Sequence, residues 1–480
     1  MVIIICIISV LPWIGLGNFS TQGEPEEAEV AISMLETGNW VLPQVHSDTF
    51  VYHPPMADWL MAFFSYPQGY VSEFTSHLPS ALAFVVLIGF VLVFFGRRIK
   101  FQQAFIATLL LITCLQMHRG AMSPLPNMLF TAFVVIGLFQ LFNWEDQLEL
   151  KGLPVIIPIL LGCVILTRGL TSVLLPLFIF GVYLLLLRKY SLLTIFKSLL
   201  YTGISSLFLP ILWYLAAYKQ GGNQFLQLVF AENSSYEFGI LYYFGTLIAG
   251  FVPWTIFFFF SLFGLQSDGT KKSFKTRLND CRVHIRTMEK EKLFSIVALI
   301  CIFIFYAVIP DKRSFRLMPA YPFIAIFLAQ YAIYITEYRT KVTRIFAAFL
   351  AAVVAVVFIA IVLTMTGVID LVAIAGQYTD DLSTLNMLRS VSGMLISPDG
   401  LTIVVLIILF ILLLTVYYQM FKKINIKILY ATIALTFGIH LFVDCMIMRS
   451  SYKENSISTA VEQETATSPS ADENVIINFE

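Results

Sequence analysis

Apolar runs long enough to cross a bilayer recur from one end of the chain to the other. A hydrocarbon core about 30 Å thick needs roughly 20 apolar residues in a helix. In lipid every backbone polar group must be paired within the spanning structure, so such runs are helices. The clearest are Leu78–Gly96, Leu125–Phe142, Leu170–Leu187, Ser191–Tyr218, Phe244–Leu265, Leu293–Ile309, Leu317–Ile335, Ile345–Val368, Leu401–Met420 and Ile428–Met446. Val2–Leu16, Phe101–Met117 and Leu153–Leu166 are shorter or interrupted. The pattern predicts an all-α polytopic membrane protein with about thirteen transmembrane helices. Alternating ten-residue barrel strands are not visible. A soluble fold is excluded by a charged fraction of 12%, against about a quarter in soluble domains. The first run lacks a basic n-region and an A-x-A site, so it reads as a retained helix rather than a signal peptide.

Basic residues set the orientation. Alternate loops carry Arg97, Arg98 and Lys100, then Lys151, then Arg188, Lys189 and Lys197, and then a basic stretch between Lys271 and Lys292. Arg339, Lys341, Arg344, Lys422, Lys423 and Lys427 continue the series. The loop from Gly17 to His77 on the other side has no Lys or Arg. The N-terminus and basic loops, 266–292 among them, are therefore expected in the cytoplasm, and the first long loop outside. Residues 1–448 read as one transmembrane domain, and 449–480 as a disordered polar tail rich in Ser, Thr, Glu and Asn. The six cysteines show no CxxC or Cys/His ligand spacing, which predicts neither disulfide nor structural zinc.

The first outer loop, 17–77, is too long for a plain connection and is not low in complexity. In "GEPEEAEVAISMLETGNWVLP", Pro25 suits a first helical turn and Gly38 a stop. Ala28, Ala31, Ile32 and Leu35 form a narrow apolar stripe, as on a helix lying at the outer membrane surface. Glu26, Glu27 and Glu36 suit a solvated helix with an acidic start. Glu24 differs because it follows the first span at the membrane boundary, where a carboxylate can serve as a base. In "FVYHPPMADWLMAFF", His53-Pro54-Pro55 breaks the chain before a second juxtamembrane helix with Trp59, Phe63 and Phe64. His53 is otherwise an ordinary surface histidine.

The outer side has few cations: Arg119, Arg168, Lys219, Lys312, Arg313 and Arg316. Such residues either snorkel to headgroups or hold a lipid-linked phosphate in a partly desolvated site. Asp444 stands as a lone acid in the last span. One carboxylate and several cations on one face suit transfer of a group from a lipid phosphate, and equally the carriage of an anionic lipid.

The ordered motifs "GEPEEAEVAISMLETGNWVLP", "YHPPMADWL", "HLPSALA", "LTRGLTSVLLP", "FVPWTIF" and "PDKRSFRLMPAYPF" resemble the GT-C class of polyprenyl-phosphate-sugar-dependent glycosyltransferases. That class includes the protein O-mannosyltransferases and the bacterial aminoarabinose transferase. The matching family patterns are "DExRYAEIAREML.TGDWLVP", "EKPPLxYWL" and "RLPSALA". The resemblance runs from about Gly17 to about Gln330. It implies a GT-C fold with two juxtamembrane helices over a cavity. It also implies a sugar on a polyprenyl phosphate as donor and inversion at the anomeric carbon. No cofactor is expected, and no metal-ligand cluster stands out in the sequence.

The family's Asp aligns with Gly23, which leaves Glu24 as the carboxylate that activates the acceptor; Glu29 matches a second, structural acid. Lys312 and Arg313 then hold the donor phosphate, with Arg168 where the family has Lys. Three further substrate-binding positions depart from the pattern: Tyr52 replaces Glu, His53 replaces Lys and Asn127 replaces a common Asp. The expected partners are the lipid-linked sugar, membrane lipids and a lipid A, glycan or protein acceptor, with no nucleic acid. The implied location is a bacterial inner membrane with the site on its periplasmic face. A carrier or flippase of lipid-linked glycan, and a degenerate member with a binding role, are the alternatives.

Overall fold

A computed structural model describes residues 1–16, 24–45, 49–51, 53–148, 152–230, 241–262, 288–309, 313–379 and 381–449. Tyr52, Lys312, Gly23, most of the basic stretch 266–292 and the tail from residue 450 lie outside the described residues.

Among the described residues, eight helical units are long and apolar enough to cross a membrane. They are Glu73–Gly96, Asn127–Glu145, Leu170–Leu187, Lys290–Val308, Ser314–Tyr338, Thr340–Met365, Gly400–Lys422 and Asn425–Met446. Three bent pairs, Phe101–Ile112 with Leu115–Ala121, Leu192–Ser206 with Phe208–Gln227, and Tyr242–Gly250 with Trp254–Leu262, bring the number to as many as eleven. Val2–Val10 (α1) and Ile156–Arg168 are shorter. Each apolar run read from the sequence therefore contains helix, and the chain is an integral multi-pass membrane protein.

The runs Ser191–Tyr218 and Phe244–Leu265, expected as continuous spans, are broken. The second bends by 103° between Gly250 and Trp254, where Pro253 has no N–H for a helical ladder. The break in Phe101–Met117 is maintained by distant partners. Thr113 Oγ1 donates to Leu109 O at 2.7 Å and accepts from Trp254 Nε1 at 3.0 Å, while His440 Nε2 stands 3.1 Å from Thr113 O. Side chains thus satisfy backbone groups that the interrupted helix leaves open.

Four elements position the end of the bundle that bears Glu24. They are α2 (Glu24–Thr37), α3 (Met56–Ser65), α4 (Glu73–Gly96) and α5 (Asn127–Glu145). Between α2 and α3 the described backbone makes a two-residue antiparallel pair, Gln44–Val45 with Thr49–Phe50. Helix α2 stops at Gly38, whose φ of 68° costs a glycine little. The segment after it is latched by named bonds. Asn39 Oδ1 accepts from Val41 N and Leu42 N, and its Nδ2 donates to Leu42 O. Trp59 Nε1 of α3 donates to Trp40 O at 2.6 Å, and Trp213 Nε1 donates to Val41 O at 2.9 Å. The recurrent "TGNWVLP" motif is thus a backbone clasp.

The buried side of α2 is wider than the expected stripe. Ala28, Val30, Ala31 and Met34 are buried, whereas Ile32 and Leu35 are only partly so. Helix α2 packs against α3 as part of the core instead of resting on the surface by its stripe alone. Helix α4 starts with a reciprocal cap, Ser72 with Thr75. Its Ser80 Oγ donates to Leu125 O, tying "HLPSALA" to the turn that precedes α5.

At the opposite end, Glu145 closes α5 and is buried. It receives Lys189 Nζ at 3.1 Å, Lys290 Nζ at 3.2 Å and the Tyr190 hydroxyl at 3.1 Å. Arg98 donates to Asn143 at 2.6 Å nearby. Three of the basic segments of the sequence reading, those with Arg98, Lys189 and Lys290, therefore meet at the end of α5.

Candidate active site

Glu24 opens α2, and only 2% of its surface is exposed. Ser123, in the turn between Ala121 and α5, donates its hydroxyl to Glu24 Oε1 at 3.0 Å. The buried His77 of α4 lies within electrostatic range of Glu24. A carboxylate screened from bulk water can accept a substrate proton.

A cation group forms between the start of α5 and the segment that carries Arg313 and Arg316. Arg168 ends the helix Ile156–Arg168 (α6), where a positive charge suits the negative end of the helix dipole. Gly169, at φ 86°, turns the chain away. Arg168 Nη2 donates to Asn127 Oδ1 at the start of α5. The guanidinium lies 4.5 Å from the Phe315 ring centre and 5.7 Å from that of Phe130. Arg313 reaches the same Phe315 ring at 6.0 Å, and Arg316 lies over Tyr306 at 5.9 Å. Arg168 is within electrostatic range of Arg313, Arg316 and Glu27, the last one helical turn from Glu24. An Asp at position 127 would neutralise Arg168, whereas the Asn127 amide orients it and leaves its charge available to an anion.

His53 is half-exposed, with Nδ1 3.5 Å from Asp58 Oδ2. Asp58, on α3, is fully buried. Burial, followed by the neighbouring Glu27 carboxylate, raises its pKa well above the usual carboxylate range. Glu27, His53 and Asp58 each offer an atom within 4.8 Å of the others.

The structure thus brings together Arg168, Asn127 and Arg313, with Glu24 connected to them along α2 through Glu27. His53 faces the acidic pair on α2 and α3. Arg316, one of the rare cations noted in the sequence, joins the site, and so do Ser123 and Phe315, which the sequence does not single out. Asp444 is not a lone acid. His118 Nε2 stands 2.8 Å from Asp444 Oδ2, and the His440 ring lies 4.3 Å from that of His118. All three are buried.

Comparison with known proteins adds to this geometry. The family described as dolichyl-phosphate-mannose-protein mannosyltransferase matches residues 52–214. The crystal structure of ArnT from Cupriavidus metallidurans bound to undecaprenyl phosphate superposes with a TM-score of 0.68 at 16% identity. The match covers 94% of this chain and 77% of that one. The apo state of the same protein gives 0.67 at 16% identity, with 93% and 77% covered. An uncharacterised protein of Aquifex aeolicus is 25% identical over 312 residues, 63% of this chain and 58% of its own length. The chain thus spans little more than half of that relative. The superpositions show the all-helical fold expected from the sequence.

Proposed function

We propose that this chain is a GT-C class glycosyltransferase that moves a sugar from a polyprenyl phosphate to an acceptor at the outer face of the membrane, a reading supported by its fold and by the family match over residues 52–214. The observation that carries this reading is that the enclosed Glu24 carboxylate opens the same helix whose Glu27 lies within electrostatic range of Arg168, itself grouped with Asn127 and Arg313. The acceptor, a hydroxyl or phosphate on lipid A, a glycan or a protein, gives its proton to Glu24 as its oxygen attacks the anomeric carbon. The bond from that carbon to the phosphate oxygen breaks on the opposite side, so configuration inverts. The negative charge left on the lipid phosphate is held by Arg168 and Arg313, which act most strongly where water is excluded. The likeness to an ArnT structure bound to undecaprenyl phosphate supports a polyprenyl donor.

A long apolar groove fits the same ligand. It has a volume of about 450 Å³ and is lined by Phe251, Trp254, Phe258, Ile324, Leu328 and Tyr331, among others. Ile324 to Tyr331 lie on the helix that follows Arg313 and Arg316 in the chain. A ligand with a phosphate head and an apolar tail has a counterpart for each part. The test is mass spectrometry of lipid and glycan fractions from cells with and without the gene, followed by transfer from a labelled polyprenyl-phosphate sugar in isolated membranes. A glycan or lipid species missing without the gene supports the reading; unchanged fractions and no transfer contradict it.

The buried His118–Asp444–His440 group favours a second reading, carriage of a lipid-linked glycan, because ionisable groups within a membrane bundle often mark a transport path. Reconstituted vesicles would then translocate glycan without any acceptor, and absence of translocation would exclude it.

A further inference from the structure

Glu27 on α2, His53 before α3 and Asp58 on α3 converge on one point. Asp58 is fully buried, and neither of its carboxylate oxygens accepts a hydrogen bond. Two carboxylates that face each other, one of them fully buried, need either a shared proton or a cation between them. His53 Nδ1 lies 3.5 Å from Asp58 Oδ2, beyond an ordinary N–H···O hydrogen bond. Two ligands about 2.0–2.1 Å from a tetrahedral zinc ion stand about 3.4 Å apart. The His53–Asp58 separation thus leaves room for an ion bound to both.

We propose that Glu27, His53 and Asp58 form a binding site for one divalent transition-metal ion of the zinc class. An imidazole with two carboxylates suits such an ion, whereas magnesium and calcium take oxygen ligands. Three protein ligands leave a position open, and the half-exposed His53 gives the ion a way in. In the family patterns quoted above, the aligned positions carry Tyr, Lys and Tyr, so the ligand set belongs to this chain. Glu27 lies within electrostatic range of Arg168, which places the ion's charge beside the cation group. The site itself requires no assumption about sugar transfer.

The test uses the full-length chain in detergent, stripped with EDTA and given zinc chloride alone. Wild-type protein should retain one zinc per chain after gel filtration, and its thermal unfolding midpoint should rise on addition of the metal. His53→Ala and Asp58→Asn should each weaken zinc binding by more than about tenfold, since loss of an outer-shell partner alone typically costs 10–100-fold. Glu36→Gln, at the exposed end of α2, should bind as wild type does. No zinc retained by the wild type, or unaltered affinity in the folded His53→Ala protein, overturns the proposal. In that case Glu27 and Asp58 share a proton.

Discussion

Arg168 presents a guanidinium to Asn127 and rests it against Phe315. Its removal should weaken donor binding rather than alter chemistry on bound donor. A hydrogen bond to a charged group contributes about 1.5–3 kcal/mol, so Arg168→Ala should raise the donor KM by roughly 10–100-fold with a smaller change in kcat. Arg168→Lys should recover part of that loss, because it restores the charge but not the planar contact with Phe315 and Asn127. Steady-state transfer kinetics at varied donor concentration measure both. At this scale the sequence was only partly legible. Arg168 and Arg313 stood out as rare cations on a side poor in them. Ser123 did not, because one serine between apolar segments has no periodicity or spacing to mark it. Glu27 and Asp58 resembled the acids that ordinarily decorate a helix start, and only the fold brings them together.

The elements around the site depend on a few backbone contacts. Asn39 supplies three hydrogen bonds to the turn after α2, so Asn39→Ala should cost about 1–3 kcal/mol locally and open residues 39–51 to limited proteolysis. Helix starts are sensitive to pH as well. Arg449, with help from Thr402, holds the Asp399 carboxyl well below the usual carboxylate range. A lowered folded pKa stabilises fully above the unfolded value of about 4, and that contribution is lost as pH falls through the folded value. Asp399→Asn keeps the cap, so its deficit in thermal midpoint should be present near neutral pH, begin to narrow as pH falls below about 4, and persist until the lowered folded value is reached. The stop of α2 at Gly38 and the start of α3 after Pro55 were readable from residue type. The break at Thr113 was not, because Trp254 and His440 sustain it from segments far away in the chain.

Across the whole molecule, the two ends of the bundle have different tasks. The Glu145 clasp joins three segments at the basic end. Glu145→Ala should lower stability by about 1–3 kcal/mol, read as a lower unfolding midpoint in detergent, while transfer per folded molecule stays unchanged. In the proposed mechanism the Glu24 carboxylate acts in the reaction and not in donor binding. General-base removal typically costs 10²–10⁴-fold. The decisive measurement is therefore transfer and donor-lipid binding in the Glu24→Gln protein, which keeps the side chain's shape and an oxygen for Ser123. The expected result is polyprenyl-phosphate binding at wild-type affinity with transfer reduced at least about 100-fold. Transfer at the wild-type rate would contradict the assignment of Glu24 as the base.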